Sequence, residues 1–198
     1  LSMFSYDQFK FEQTYSRILS EMSFREAFSD VFIPLLEFVG VQWLSDNITT
    51  SHEHFVTSLI LQKLMINIER VQSVRPDKRK VYVLFLPDNE IHELGLMYVN
   101  YELSRSGYQT IYLGPSVPIE SLESIISCYS SISFVSYFTV YPTKSEVNAY
   151  LAEIDNKILY NYNLSLSILG RNAQDVSFKS DRIKVFNKVD DLLNKMIE

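Results

Sequence analysis

Val81-Tyr82-Val83-Leu84-Phe85-Leu86, with Glu90-Ile91-His92-Glu93-Leu94-Gly95 three residues later, is the stretch on which the reading of the fold turns. Six consecutive apolar residues, rich in β-branched and aromatic side chains, predict a buried strand. The second segment puts an imidazole and a glycine at the carboxyl end of that strand, the place where open α/β sheets bind their ligands. The carboxylate of Glu90, two residues before the ring, can accept one imidazole N–H. That bond would fix the tautomer and leave the other nitrogen free as a metal ligand.

Downstream, short apolar runs alternate with helical stretches: strand 81–86, helix 91–106, strand 110–113, helix 118–128, strand 133–138, helix 143–157, strands 165–169 and 182–186, and helix 189–197. This is the pattern of βαβ units and a parallel sheet. Upstream, the periodicity is helical. Phe24, Phe28, Val31, Leu35 and Phe38 recur on one face, with Ser23 to Glu26 as a capping box and Pro34 expected to bend the helix. Thr50-Ser51-His52-Glu53 offers a second box, opening a long helix whose apolar face carries Phe55, Leu59, Met65 and Ile68. An earlier helix is expected around Asp7 to Ser20. A polar linker, residues 73–80, separates the two patterns. The fold expected is α/β: a four-helix bundle over residues 1–75, then a flavodoxin- or Rossmann-like parallel sheet with flanking helices over 79–198.

Composition narrows the function. The chain has 198 residues, 46% of them hydrophobic, enough for a packed core, and a formal net charge of −6. No basic, aromatic-interleaved stripe marks a nucleic-acid surface. No apolar stretch is expected to reach the ~20 residues of a membrane span, no signal sequence is visible, and a cytoplasmic location is expected. Cys128 stands alone and reads as a small buried helix residue. The absence of Gly-x-Gly-x-x-Gly and of a Walker sequence leaves nucleotides without a phosphate cradle. No nucleophile sits beside an activating base, so an enzyme is the minority reading.

Glu90-x-His92-x-x-Gly95 resembles the signature of cobalamin-binding domains, in the form found in cobalamin-sensing regulators of the MerR type. Trp43, nine residues, then Glu53-His54 resembles the Trp-x9-Glu-His motif of the helical cap in those regulators. The flanks 32–36, 52–55 and 112–118 are similar as well, and the resemblance spans roughly residues 20–198. It implies a cobalamin, in adenosyl or methyl form, held between cap and sheet, with His92 as the lower axial cobalt ligand. Trp43, Glu53 and His54 would cover the upper face. Ser136 and Gly170 would line the slot for the dimethylbenzimidazole tail, and Gly95 would permit close approach of the ligand or of the sheet. Taken alone, Trp43 reads as a bundle core residue and His52 as a solvated one. A homo-oligomer is implied, together with DNA contact only through an N-terminal helix-turn-helix absent from this chain. A truncation is therefore expected, with Leu1-Ser2 as a cloning remnant.

Departures from the family pattern define the alternatives. Leu44 stands where light-sensing members carry a histidine, which excludes a bis-histidine photoproduct through that position. Ser136-Tyr137-Phe138 replaces Ser-x-Leu, and Gly170-Arg171 replaces Gly-Gly. Phe138 and Arg171 would then narrow the tail slot, although Arg171 could instead hold the nucleotide phosphate. The rivals are a degenerate member using the fold for oligomerisation or another ligand, and a corrinoid carrier subunit of a methyltransferase.

Overall fold

Strand β1 (Val81–Pro87) is buried at every position, as a strand paired on both edges and covered on both faces must be. Its neighbours are β2 (Gln109–Val117) and β3 (Ile132–Tyr137), both parallel to it. With β4 (Leu166–Leu169) and β5 (Ile183–Val185) they form a parallel sheet of order β2-β1-β3-β4-β5. This is the flavodoxin order, and the chain reverses direction across the sheet between β1 and β3, opening a crevice at their carboxyl ends. The computed structural model describes residues 2–72 and 80–197. Most of the expected linker, 73–80, lies outside them.

Period-two alternation sorts the sheet side chains onto two faces. Val83, Phe85, Phe134, Phe138, Leu166 and Ile168 pack with α7 (Val147–Ile154), where Val147, Leu151 and Ile154 are buried. Tyr82, Leu84, Val135 and Leu169 face the other way, onto Leu96, Val99 and Leu103 of α5 (Leu94–Arg105) and Leu192 of α9 (Val189–Ile197). The expected helix 118–128 is a 3-10 turn, Ile119–Leu122, followed by the short α6 (Glu123–Ile126). Cys128 after it is exposed rather than buried. The helix begun by α7 continues through a π turn, Asp155–Leu159, into α8 (Tyr160–Tyr162).

The chain divides into two units, Leu1–Asn67 and Ile68–Glu198. The first is helical: α1 (Gln8–Glu21), α2 (Phe24–Ala27), α3 (Ile33–Leu44) and most of α4 (Thr50–Gln72). The four helices make three rods, because α2 and α3 run on through a π turn, Phe28–Phe32. That turn explains two differences from expectation. Pro34 falls at the start of α3, directly after the π turn, where the wider turn accommodates a residue without a donor. The extra residue also rotates everything beyond it, so Val39 is buried while Phe38 is exposed. In α4 the core face is Val56, Leu59, Ile60, Leu64 and Ile68, and Met65 is exposed.

Phe24–Leu44, at 21 residues, is long and apolar enough to cross a membrane by length and composition, contrary to the sequence expectation. Arg25, Glu26, Asp30 and Glu37 lie along it, each costly at a bilayer centre. Phe24, Ala27, Phe28, Phe32 and Val39 are buried, and Phe11 stacks on Phe32. These features fit a bundle helix.

Candidate functional site

The β1–α5 loop and the loop after β3 meet at the switch point through one side chain. Glu90 is fully buried, and its two oxygens gather five donors. Oε2 accepts the backbone N–H groups of Thr139, Val140 and Tyr141 at 3.1, 2.6 and 2.8 Å, three successive amides forming an anion-binding nest. Oε1 accepts the backbone N–H of His92 at 2.9 Å and its ring Nδ1 at 2.6 Å. Burial alone would raise this carboxyl, but the bonds from Tyr141, Val140 and His92 outweigh it and hold the group below its ordinary value of 4.5. Glu90 is therefore an ionised acceptor.

An ionised carboxylate can only accept, so Nδ1 of His92 must donate and the neutral ring carries its lone pair on Nε2. The side chain is half exposed, at 52%, against complete burial of its partner. A buried, over-determined carboxylate thus presents an exposed imidazole with its second nitrogen bare. Because the His92 amide is bound to Glu90, helix α5 starts at Leu94, and residues 91–93 stay outside it, contrary to the expected helix 91–106.

The surrounding bonds hold both loops. Asn172, buried beyond β4, donates from Nδ2 to the carbonyls of Val140 and Pro142 at 2.9 and 3.0 Å, which fixes the loop that supplies the nest. Ser116 at the end of β2 donates its amide to the Glu90 carbonyl and its hydroxyl to Asp88. Tyr112 donates to Glu93 at 3.0 Å; burial and then the Glu93 charge push its hydroxyl far up. Neither Asn172 nor the 139–141 amides were singled out from sequence. They lie 47 to 80 residues from the histidine they help to place, and backbone amides leave no mark in composition.

The residues expected to line a tail slot are occupied by the chain itself. A Cβ added at Gly95 would lie 2.7 Å from Cζ and 2.8 Å from Cε1 of Tyr137, so the tyrosine ring fills the space that the glycine leaves. Ser136 is fully buried and donates to the Phe85 carbonyl at 2.8 Å. Phe138 turns inward, fully buried, edge-on to Tyr150. Gly170 has φ +102°, and a Cβ there would meet the Phe138 carbonyl oxygen at 2.4 Å. Arg171 is exposed rather than packed inward. Gly170 is thus required by the backbone it faces, Gly95 faces the outer end of the Tyr137 side chain, and the bulk that sequence assigns to Phe138 and Arg171 lies in Phe138 and Tyr137.

In the helical unit, Trp43 is the next-to-last residue of α3 and is 48% exposed, which is unlike a core residue. Glu53, in the first turn of α4, accepts from Thr57 at 2.7 Å and pairs with Nδ1 of the exposed His54. The expected box from Thr50 is displaced by one residue. Thr49 precedes the helix, and its amide and hydroxyl meet Nδ1 of His52 at 3.2 and 2.8 Å. His52 also stacks on Tyr6 at 4.8 Å, so it is a capping and packing residue rather than a solvated one.

No protein-family model matches the chain. Over 118 residues, 60% of its length, it is 30% identical to the HTH-type transcriptional repressor CarH of Myxococcus xanthus, and the match spans 38% of that protein. The monomethylamine corrinoid protein of Methanosarcina barkeri superposes with a TM-score of 0.75 at 10% identity, covering 94% of this chain and 88% of that one. The chain has the corrinoid-protein fold. A cobalamin-binding protein from Desulfitobacterium hafniense DCB-2 aligns over 99% of this chain and 94% of its own, with a TM-score of 0.50 and 14% identity. The corrinoid-protein fold thus extends over the helical N-terminal unit as well as the parallel sheet, and the switch-point loop carrying Glu90 and His92 lies within it.

Proposed function

We propose that this chain is the corrinoid-sensing domain of a cytoplasmic transcription regulator, with Nε2 of His92 as the lower axial ligand to cobalt. The observation that carries the reading is the Glu90–His92 pair at the β1/β3 switch point: a buried carboxylate fixing the tautomer of an exposed ring. Among the described residues no group of three or more His, Cys, Asp or Glu side chains could hold a free metal ion. A corrinoid supplies a cobalt already chelated by its macrocycle, so a single protein nitrogen completes its lower face. Glu90 raises the basicity of that nitrogen, and the 139–141 amides keep Glu90 in place.

The regulatory part of the reading rests on the 30% identity to a transcriptional repressor and on the Trp43-x9-Glu53-His54 spacing. Those three side chains would cover the upper face, where an adenosyl or methyl group projects. DNA contact would belong to a helix-turn-helix outside this chain, and the output would be self-association. Ligand can bias that equilibrium only through unequal affinity for its two states. The domain binds rather than catalyses. A carrier role, suggested by the match to a methylamine corrinoid protein, would require an upper face open to partner enzymes, and the Trp43-x9-Glu53-His54 spacing argues against it.

The test is retention of corrinoid. The protein is incubated in the dark with aquo-, methyl- and adenosyl-corrinoids, with and without the lower nucleotide, then desalted for a visible spectrum. A retained chromophore whose spectrum and affinity change in His92→Ala is expected; retention of none of them would overturn the proposal.

A further inference from the structure

A cobalt that accepts His92 on its lower face cannot keep its own base there, because the two compete for one coordination position. A corrinoid carrying a nucleotide must therefore withdraw its tail and place it elsewhere. In the sheet domain the positions that the family resemblance assigns to the tail are Ser136, at the end of β3, and Gly170, with Gly95 in the first turn of α5 permitting close approach. Over Gly95 lies the Tyr137 ring, within 3.0 Å of an added Cβ at three of its carbons. Past Ser136 the hydroxyl is committed to the Phe85 carbonyl, and Phe138 is built into the core against Tyr150. Interiors at crystal-like density admit a bicyclic base only by displacing what fills them.

We propose that Tyr137 occupies the tail site of this domain, and that the domain selects corrinoids lacking an inserted lower nucleotide, of the cobinamide class. The cobalt-facing half of the site and the tail-holding half are thereby uncoupled. The first is intact, since the ring of His92 is half exposed while Glu90 holds it from beneath. The second is replaced by an aromatic side chain of the protein. Tyr137 itself is only half buried, packed at the margin of the cluster of Leu96 and Val99, so its removal opens the slot without excavating the centre of the core.

This inference rests on the cobalt ligation proposed above, and the experiment separates the two. Aquocobinamide and aquocobalamin are titrated against wild type, Tyr137→Phe and Tyr137→Ala, following the visible spectrum. Wild type is expected to bind cobinamide with a His92-dependent spectrum, and cobalamin about ten- to a hundredfold more weakly, the scale of forcing extra volume into a packed site. Tyr137→Phe keeps the ring and should keep the preference, while Tyr137→Ala should reduce it by strengthening cobalamin binding relative to cobinamide. Equal affinity of wild type for both corrinoids overturns the inference and leaves the His92 ligation standing. Failure of wild type to bind cobinamide while it binds cobalamin overturns the inference alone, and failure to bind either corrinoid overturns both. The wild-type ratio requires no variant, so an unstable Tyr137→Ala does not remove the test.

Discussion

Replacing Glu90 with glutamine keeps the shape and removes the charge, which isolates what the carboxylate contributes. Five donors converge on it, three backbone amides on Oε2 and the amide and ring of His92 on Oε1. Glutamine offers one acceptor oxygen and two amide hydrogens. Turned so that oxygen faces the nest, it leaves the His92 amide without a partner and forces the ring to accept at Nδ1, moving the ring proton to Nε2. Turned the other way, its amide confronts three N–H donors, which is worse. The first arrangement wins, and it costs one lost and three weakened charge-assisted bonds, offset in part by the desolvation no longer imposed on a charge. The net loss is about 2–4 kcal/mol.

The same carboxylate sets an acid dependence. Burial raises the group, the hydrogen bonds lower it further than that, and the folded value ends below 4.5. Above 4.5 both folded and unfolded chains are ionised and the contribution is complete; as pH falls from there towards the folded value, the unfolded chain takes up the proton first and stability declines. Glu90→Gln lacks this decline. Urea unfolding at neutral and acid pH gives the energies, and ¹⁵N shifts of the imidazole give the tautomer: wild type with Nε2 bare, the variant with Nε2 protonated. An unchanged midpoint at neutral pH with Nε2 still bare would refute the reasoning.

The same geometry sets the outcome at three other positions. Gly95→Ala pushes a methyl group into a side-chain ring and should destabilise by ~1–3 kcal/mol, with recovery when Tyr137 is also shortened. Gly170→Ala meets backbone at φ +102°, so it should cost at least as much with no recovery in Phe138→Ala, and parallel denaturation curves of the single and double variants distinguish the cases. Asn172→Ala leaves the Val140 and Pro142 carbonyls without their donor and should cost ~1–3 kcal/mol. Amide exchange is expected to rise at 139–141 more than in β1, and uniform exchange would contradict a loop-holding role.

How much of this was legible in sequence depends on how local each interaction is. The Glu90–His92 bond spans two residues and comes just after a continuous apolar run, so motif and strand together announced it. The parallel sheet is legible for the same reason, since β1 is apolar throughout and β3 carries only small serines between its apolar residues. The π turn was not: its extra residue at Phe28–Phe32 leaves no signature in hydrophobic spacing, and it moved Phe38 out of the core and Val39 in. The nest at 139–141 is made of amides, to which side-chain patterns are blind.

Tyr137 is a different case, because its signal lies in the sequence beside a bulkier departure at Phe138. In Ser136-Tyr137-Phe138 the departure from the family pattern is the bulk of Phe138 against a smaller residue. Strand alternation sends Ser136 and Phe138 to one face and Tyr137 to the other, and the second face is the one that α5 covers, with Leu96 and Val99 against Val135. Gly95 lies in the first turn of α5, so a bulky residue at 137 and an absent side chain at 95 are complementary. Read as a pair, they predict a helix seated on an aromatic ring; read singly, the glycine looks like an opening for a ligand. A motif glycine therefore marks a close approach, and what approaches has to be found from the facing strand.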